Sequence, residues 1–224
     1  MKRIIFFSVI AALVSINAQP KNFSLMRGNW TGGVSGNFYW DSFDQNIKEV
    51  NGEVKSKIYE NGSLMNFKSG YFAADNFLLG ALYYQAIDEL EVEPDPNPNN
   101  NFDKNRSNTW FAGIWSRYYF PISAVNMSLF GELSLGYLAY EQQYQNLQSN
   151  IYSRSFTRAD GFAYIFGGGI SYFLTDEISF ELALNFQGSS TSGNVEYNNG
   201  VSDPVDISFF NTKILLGIQI YLQN

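Results

Sequence analysis

The chain is organised by alternation. From 178 to 187 the odd and even positions sort cleanly. Ile178, Phe180, Leu182, Leu184 and Phe186 fall on one side, and Ser179, Glu181, Ala183, Asn185 and Gln187 on the other. A period of two is the signature of a pleated strand; a helix would mix these groups on every face. The same sorting recurs over 29–40, 128–138, 162–172 and 212–222, and more weakly over 64–72, 77–85 and 109–120. Segment 77–85 is apolar on both sides, so its alternation assigns no orientation. Between these eight predicted strands lie three short turns, 73–76, 121–126 and 174–177, and four long polar stretches, 41–62, 86–108, 141–160 and 188–207, read as loops. Eight strands, with short turns at one end and long loops at the other, predict an all-β fold: an eight-stranded antiparallel up-and-down transmembrane β-barrel. The first connection is a long one, which puts both termini on the periplasmic side. Asn51-Gly52, between Val50 and Val54, is a hairpin-turn signal inside the first loop.

Alternation alone does not say which face points inward, because a soluble lipocalin-like barrel is lined with apolar groups. Three features decide for the membrane version. The apolar faces are bulky and the opposite faces rich in Gly, Ala and Ser, and an eight-stranded lumen is only wide enough to be filled by side chains. With the small face inward, every charged strand residue also points inward: Lys68, Arg117, Glu132, Glu181 and Lys213. A Lys or Arg facing lipid at the bilayer midplane would cost about 2–4 kcal/mol. Finally, Trp30 and Trp40 are ten residues apart on one face, about 25 Å along the membrane normal at the usual rise and tilt, the height of an apolar band. With Tyr71, Tyr118 and Tyr172, which precede the three short turns, they are expected to mark the membrane interfaces.

The segments Gly70–Gly80 (GYFAADNFLLG), Arg117–Pro121 (RYYFP), Ser128–Tyr137 (SLFGELSLGY) and Gly167–Glu181 (GGGISYFLTDEISFE) carry a resemblance. Across nearly the whole chain after residue 18, the sequence resembles the outer-membrane β-barrel domain family, the small porin-like proteins of Gram-negative envelopes. The resemblance implies the barrel fold and an outer-membrane address. It implies no particular activity, since members share a fold and differ in role.

Composition narrows the chemistry. The 224 residues are 45% hydrophobic and 17% aromatic and contain neither Cys nor His. That removes disulfides, thiolate metal sites, and every triad or general base built on histidine, including the histidine-dependent hydrolases found among outer-membrane barrels. Gly167-Gly168-Gly169 lacks the Lys-Ser/Thr of a phosphate loop. Lys2 and Arg3, the uncharged run Ile4–Ile16 and Asn17-Ala18 read as a signal peptide over 1–18, which leaves 19–224 as the barrel domain. Without the signal, 12 basic residues face 21 acidic ones, a net charge of −9, which argues against nucleic-acid partners.

Three constellations remain. The inward charges either form a conduction path or plug the lumen. Arg117 and Glu132 face each other if Phe120 sits near residue 129, and Lys68, Glu181 and Lys213 could extend the pair. Leu78, Leu82, Tyr84, Phe111 and Trp115 are candidate apolar lumen lining. The run Asp88–Pro96 alternates carboxylates, so Glu89, Glu91 and Glu93 share a face that could hold a divalent cation or bridge to lipopolysaccharide. The aromatics Tyr140, Tyr144, Tyr152, Phe156 and Tyr197 either build a recognition surface in the loops or belong to strands that outrun the membrane. The expected protein is a monomer without catalytic, metal or cofactor sites. Its partners are outer-membrane lipid, lipopolysaccharide and, during insertion, the barrel assembly machinery. It acts in envelope structure or through its loops, or alternatively as a narrow porin-like channel for ions or small hydrophobic molecules.

Overall fold

A computed structural model describes residues 23–49, 52–94, 102–122, 125–148 and 151–223. The signal segment lies outside these residues. A short 3-10 turn, Phe23–Leu25, leads into eight strands: β1 Trp30–Glu49, β2 Gly52–Ala74, β3 Phe77–Pro94, β4 Phe102–Ile122, β5 Met127–Gln148, β6 Ile151–Phe173, β7 Ile178–Tyr197 and β8 Ser202–Leu222. Each pairs antiparallel with its chain neighbours, and β1 pairs with β8, closing the barrel.

The three short turns form where Asp, Asn and Pro punctuate the pattern. Between β2 and β3 only Asp75-Asn76 intervenes, and Asn76 takes a left-handed φ of 63°, which Asn tolerates better than most residues. The four long loops do not form as loops. Strands continue through most of 41–62, 86–108, 141–160 and 188–207, and the β1–β2 ladder runs on to Glu49–Gly52. The hairpin signal therefore serves the main β1–β2 connection, with Asn51 itself outside the described residues. The reason is solvation. Beyond the bilayer neither face must be apolar, so the period-two signature disappears from the sequence. The ladder still satisfies backbone donors and acceptors, and the strands persist.

The exterior carries a belt of exposed apolar side chains, with Phe38 at 72%, Ile114 at 70% and Leu216 at 67% of full exposure. In water such a surface would aggregate; in lipid it is solvated. Trp30, Tyr71, Tyr118 and Tyr172 all point outward at the turn end, with the Trp30 and Tyr71 rings 5.4 Å apart. Trp40 lies on β1 opposite Asn61.

The expectation of a small-residue interior holds for one wall only. β3 and β4 send Leu78, Leu82, Tyr84, Phe111, Trp115 and Tyr119 inward, all buried. Across the lumen, β6 and β7 present Ala163, Gly167, Gly169 and Ala183. A lumen of this width must be filled, and large groups on one wall require small ones opposite. At Gly169 the fit is explicit: a Cβ there would lie 2.7 Å from the Phe130 ring, which occupies that space.

Candidate functional site

Four charged side chains meet in the half of the lumen nearer the short turns. Glu132 on β5 is the hub. Its Oε2 accepts from Arg117 Nη2 at 2.7 Å, Arg117 Nε at 3.1 Å, Lys68 Nζ at 2.9 Å and Trp115 Nε1 at 3.1 Å. Its Oε1 accepts from Lys68 at 3.0 Å and Asn185 Nδ2 at 2.9 Å. Arg117 also donates to Glu181 Oε1 at 2.5 Å and to the Tyr119 hydroxyl at 2.9 Å, and Ser171 donates to Glu181 at 2.9 Å. The Arg117 guanidinium lies 3.8 Å from the Phe130 ring centroid and 4.9 Å from that of Trp115. Two cations face two anions, so the cluster is neutral, and none of these four charged side chains is more than 5% exposed.

The ladder explains the meeting. Phe120 pairs with Leu129, which sets Arg117 opposite Glu132 on adjacent strands. Lys68 on β2 and Glu181 on β7 reach the pair from other walls because the barrel is closed. Lys213 does not join them. It donates to Gln187 Oε1 at 3.0 Å and sits 4.7 Å from the Tyr84 ring centroid, while Gln187 donates to the Tyr84 hydroxyl. Among the described residues, no carboxylate lies within ion-pair distance of Lys213.

Below the quartet the lumen is stoppered by a feature that alternation does not single out. Phe72, Tyr119, Phe173 and Tyr221 cluster at the turn end, with Phe173 and Tyr221 at 5.4 Å and Phe72 and Tyr119 at 5.9 Å. Leu25, fully buried, joins this cluster from the 3-10 turn, which is held by the Asn76 N–H donating to Leu25 O at 2.7 Å. Parity is the available signal: Tyr119 shares its face with Arg117, and Tyr221 with Gln219 and Lys213. Nothing in the sequence marks residues 23–25 as a cap.

Above the quartet the lumen opens into a cup of about 510 Å³. Tyr84, Gln187 and Lys213 lie among its walls, with Asp88, Glu60 and Tyr39 higher up. The Tyr39 hydroxyl donates to Asp88 at 2.7 Å, crossing over Gly62, where a Cβ would come within 2.5 Å of the tyrosine ring. Of the acidic run, Glu89 and Glu91 do share a face, and that face is occupied by Lys104, 2.8 Å from Glu89 and 3.3 Å from Glu91. Hydrogen bonding to Glu89 raises the Lys104 pKa above its usual 10.5. Asp95 and Pro96 lie outside the described residues. Tyr140 packs against the lumen core, and Arg158 lies over Phe156 at 4.6 Å, so these aromatics belong to strands.

No family model and no curated protein matches the sequence. Several solved structures are similar in fold. The outer membrane protein OprG of Pseudomonas aeruginosa is 15% identical with a TM-score of 0.46, over 89% of this chain and 98% of that one. A major outer membrane protein of Thermus thermophilus is 8% identical with a TM-score of 0.49, over 87% and 99%. The attachment invasion locus protein Ail of Yersinia pestis is 13% identical with a TM-score of 0.42, over 88% and 100%. These are likenesses of fold alone. The closed ring of eight strands, the apolar exterior and the charged, filled interior together give this chain the architecture of a small porin-like outer-membrane β-barrel.

Proposed function

We propose that the protein is a non-enzymatic component of the Gram-negative outer membrane whose lumen is sealed by its own side chains. It acts in envelope structure or through the strands that stand beyond the membrane at the end opposite the short turns. The observation that carries this reading is the coordination of Glu132, whose two oxygens accept from Lys68, Arg117, Trp115 and Asn185 across the full width of the barrel. A buried charge left unpaired is costly, whereas all four charges here are paired; of the groups around Glu132, the Asn185 side-chain oxygen is left without a partner among the described residues. A plug of this kind has little tendency to open, and the aromatic stopper beneath it is a second barrier. Leu78, Leu82, Phe111 and Trp115 support the same reading, since they pack against one another instead of lining a path.

Planar-bilayer conductance tests it. The wild-type chain is expected to be silent and the Arg117→Ala, Glu132→Ala double variant to leak. A steady wild-type conductance would overturn the sealed lumen in favour of a narrow channel.

A further inference from the structure

The barrel is closed by its shortest ladder. Neighbouring strands elsewhere pair over sixteen residues or more, but β1 and β8 pair only from Trp30–Leu222 to Gly36–Leu216, seven pairs. Both strands continue well beyond that point, β1 to Glu49 and β8 back to Ser202. The lower seam is stitched from inside, where Gln219 donates to the Thr31 hydroxyl at 2.6 Å and Thr31 to Ile220 O at 2.8 Å. Just past the last pair, Asn37 Nδ2 reaches Ile214 O at 3.3 Å.

Two cavities flank this split. Inside is the cup, bordered on β8 by Lys213. Outside is a groove of about 680 Å³ on the lipid face, lined mainly by Val34, Phe38, Met65, Leu216 and Ile218. Asn37 lines both. The inner cavity mixes charged and polar side chains with apolar ones and the outer groove is almost wholly apolar, and they meet where two strand edges lack their ladder partners. Such edges at membrane depth require donors and acceptors from elsewhere. The charges of the cup are also arranged by wall. Lys213, without a carboxylate partner among the described residues, stands beside the split on β8; Glu60 and Asp88 stand across the split, on β2 and β3. The side-chain oxygen of Asn211, buried next to Lys213 on the same face, has no hydrogen-bond partner among the described residues.

We propose that the split seam admits a single-chain zwitterionic phospholipid from the membrane. Its phosphate pairs with Lys213, its ammonium faces Asp88 and Glu60, its polar linker bonds to the open strand edges, and its acyl chain lies along the outer groove. A purely anionic amphiphile would add a negative charge near Glu60 and leave Asp88 with only the Tyr39 hydroxyl, and a purely cationic one would meet Lys213.

The test is native mass spectrometry of the full chain released from detergent. Three probes of equal chain length are compared: lysophosphatidylethanolamine, palmitate and hexadecyltrimethylammonium. One lysophosphatidylethanolamine per barrel is expected to be retained at least tenfold more tightly than either other probe. Lys213→Met is expected to lose that margin and Lys213→Arg to keep it. Asp88→Asn, remote from the quartet, is expected to weaken the zwitterion while strengthening palmitate, and it carries the test if Lys213→Met fails to fold. Equal retention of all three probes, or wild-type retention by the Lys213→Met and Asp88→Asn variants, would mean annular lipid only and would overturn the proposal. The result is independent of the sealed lumen, because a conducting wild type would leave this outcome unchanged.

Discussion

The two halves of the lumen solve the same problem differently. Near the short turns, the quartet and the aromatic stopper fill the interior and β1–β8 is zipped. Toward the other end the interior is a cup, the seam is open, and Lys213 is held by Gln187 and the Tyr84 ring instead of a carboxylate. The lower half spends its charges on one another. The upper half answers them with neutral groups, Gln187 and the Tyr84 ring for Lys213 and the Tyr39 hydroxyl for Asp88, beside an open cavity. Charges of one barrel are thus structural or available according to whether a closed ladder surrounds them, and not according to residue type.

Glu132→Ala leaves Lys68 and Arg117 buried with only Glu181 between them. It is expected to cost about 3–5 kcal/mol, the penalty for removing one partner of a buried ion pair, read as a lowered urea midpoint for folding into vesicles. Asp88→Asn in the upper half should barely move the same midpoint; an equal loss would erase the distinction between the halves.

Packing gives the next test. Gly169→Val would drive a side chain into the Leu182 carbonyl of the neighbouring strand and the Phe130 ring, and overpacking of a filled core costs about 1–3 kcal/mol. The same midpoint measures it, and a neutral result would mean the lower lumen is not filled.

The seam itself can be probed because the chain has no cysteine. A Val34→Cys, Ile218→Cys pair sits opposite in the ladder and should oxidise readily, since directly opposed strand residues lie within disulfide range. A Tyr39→Cys, Lys213→Cys pair, three steps beyond the last ladder pair, should oxidise several-fold more slowly. Equal rates on a reducing-versus-non-reducing gel would mean the seam is zipped throughout.

The smallest effect is expected at Lys104, beyond the apolar belt. Its pKa is raised in the folded state, so its contribution is complete below about pH 10.5 and is lost as pH rises through the raised value. After screening of these part-exposed groups the loss is under about 1 kcal/mol. Melting of wild type and Lys104→Met should differ at pH 8, and the difference should shrink as pH rises above about 10.5.

How far each feature is legible follows from where its signal resides. Alternation reveals strands only where one face is apolar. It locates all eight transmembrane segments, and it misses their continuation past the belt, where both faces are polar. Parity also puts Lys68, Arg117, Glu132, Glu181 and Lys213 on inward faces, since a lipid-facing charge is too costly. Only Arg117 and Glu132 lie on neighbouring strands with a short turn to set their register, so theirs is the one meeting that can be derived.

Local periodicity and the cost of placing charge in lipid were enough to fix the strand count, the inward faces of the charges and the apolar jacket, and they left a plugged and an open lumen as alternatives. Tertiary structure alone decided that Glu132 gathers donors from three other strands while Lys213 stands apart, that Leu25 caps the turn end, and that β1 and β8 part after Gly36. Those outcomes depend on how distant strands meet around the ring, above all the first and the last, a contact between segments nearly two hundred residues apart that no local pattern encodes.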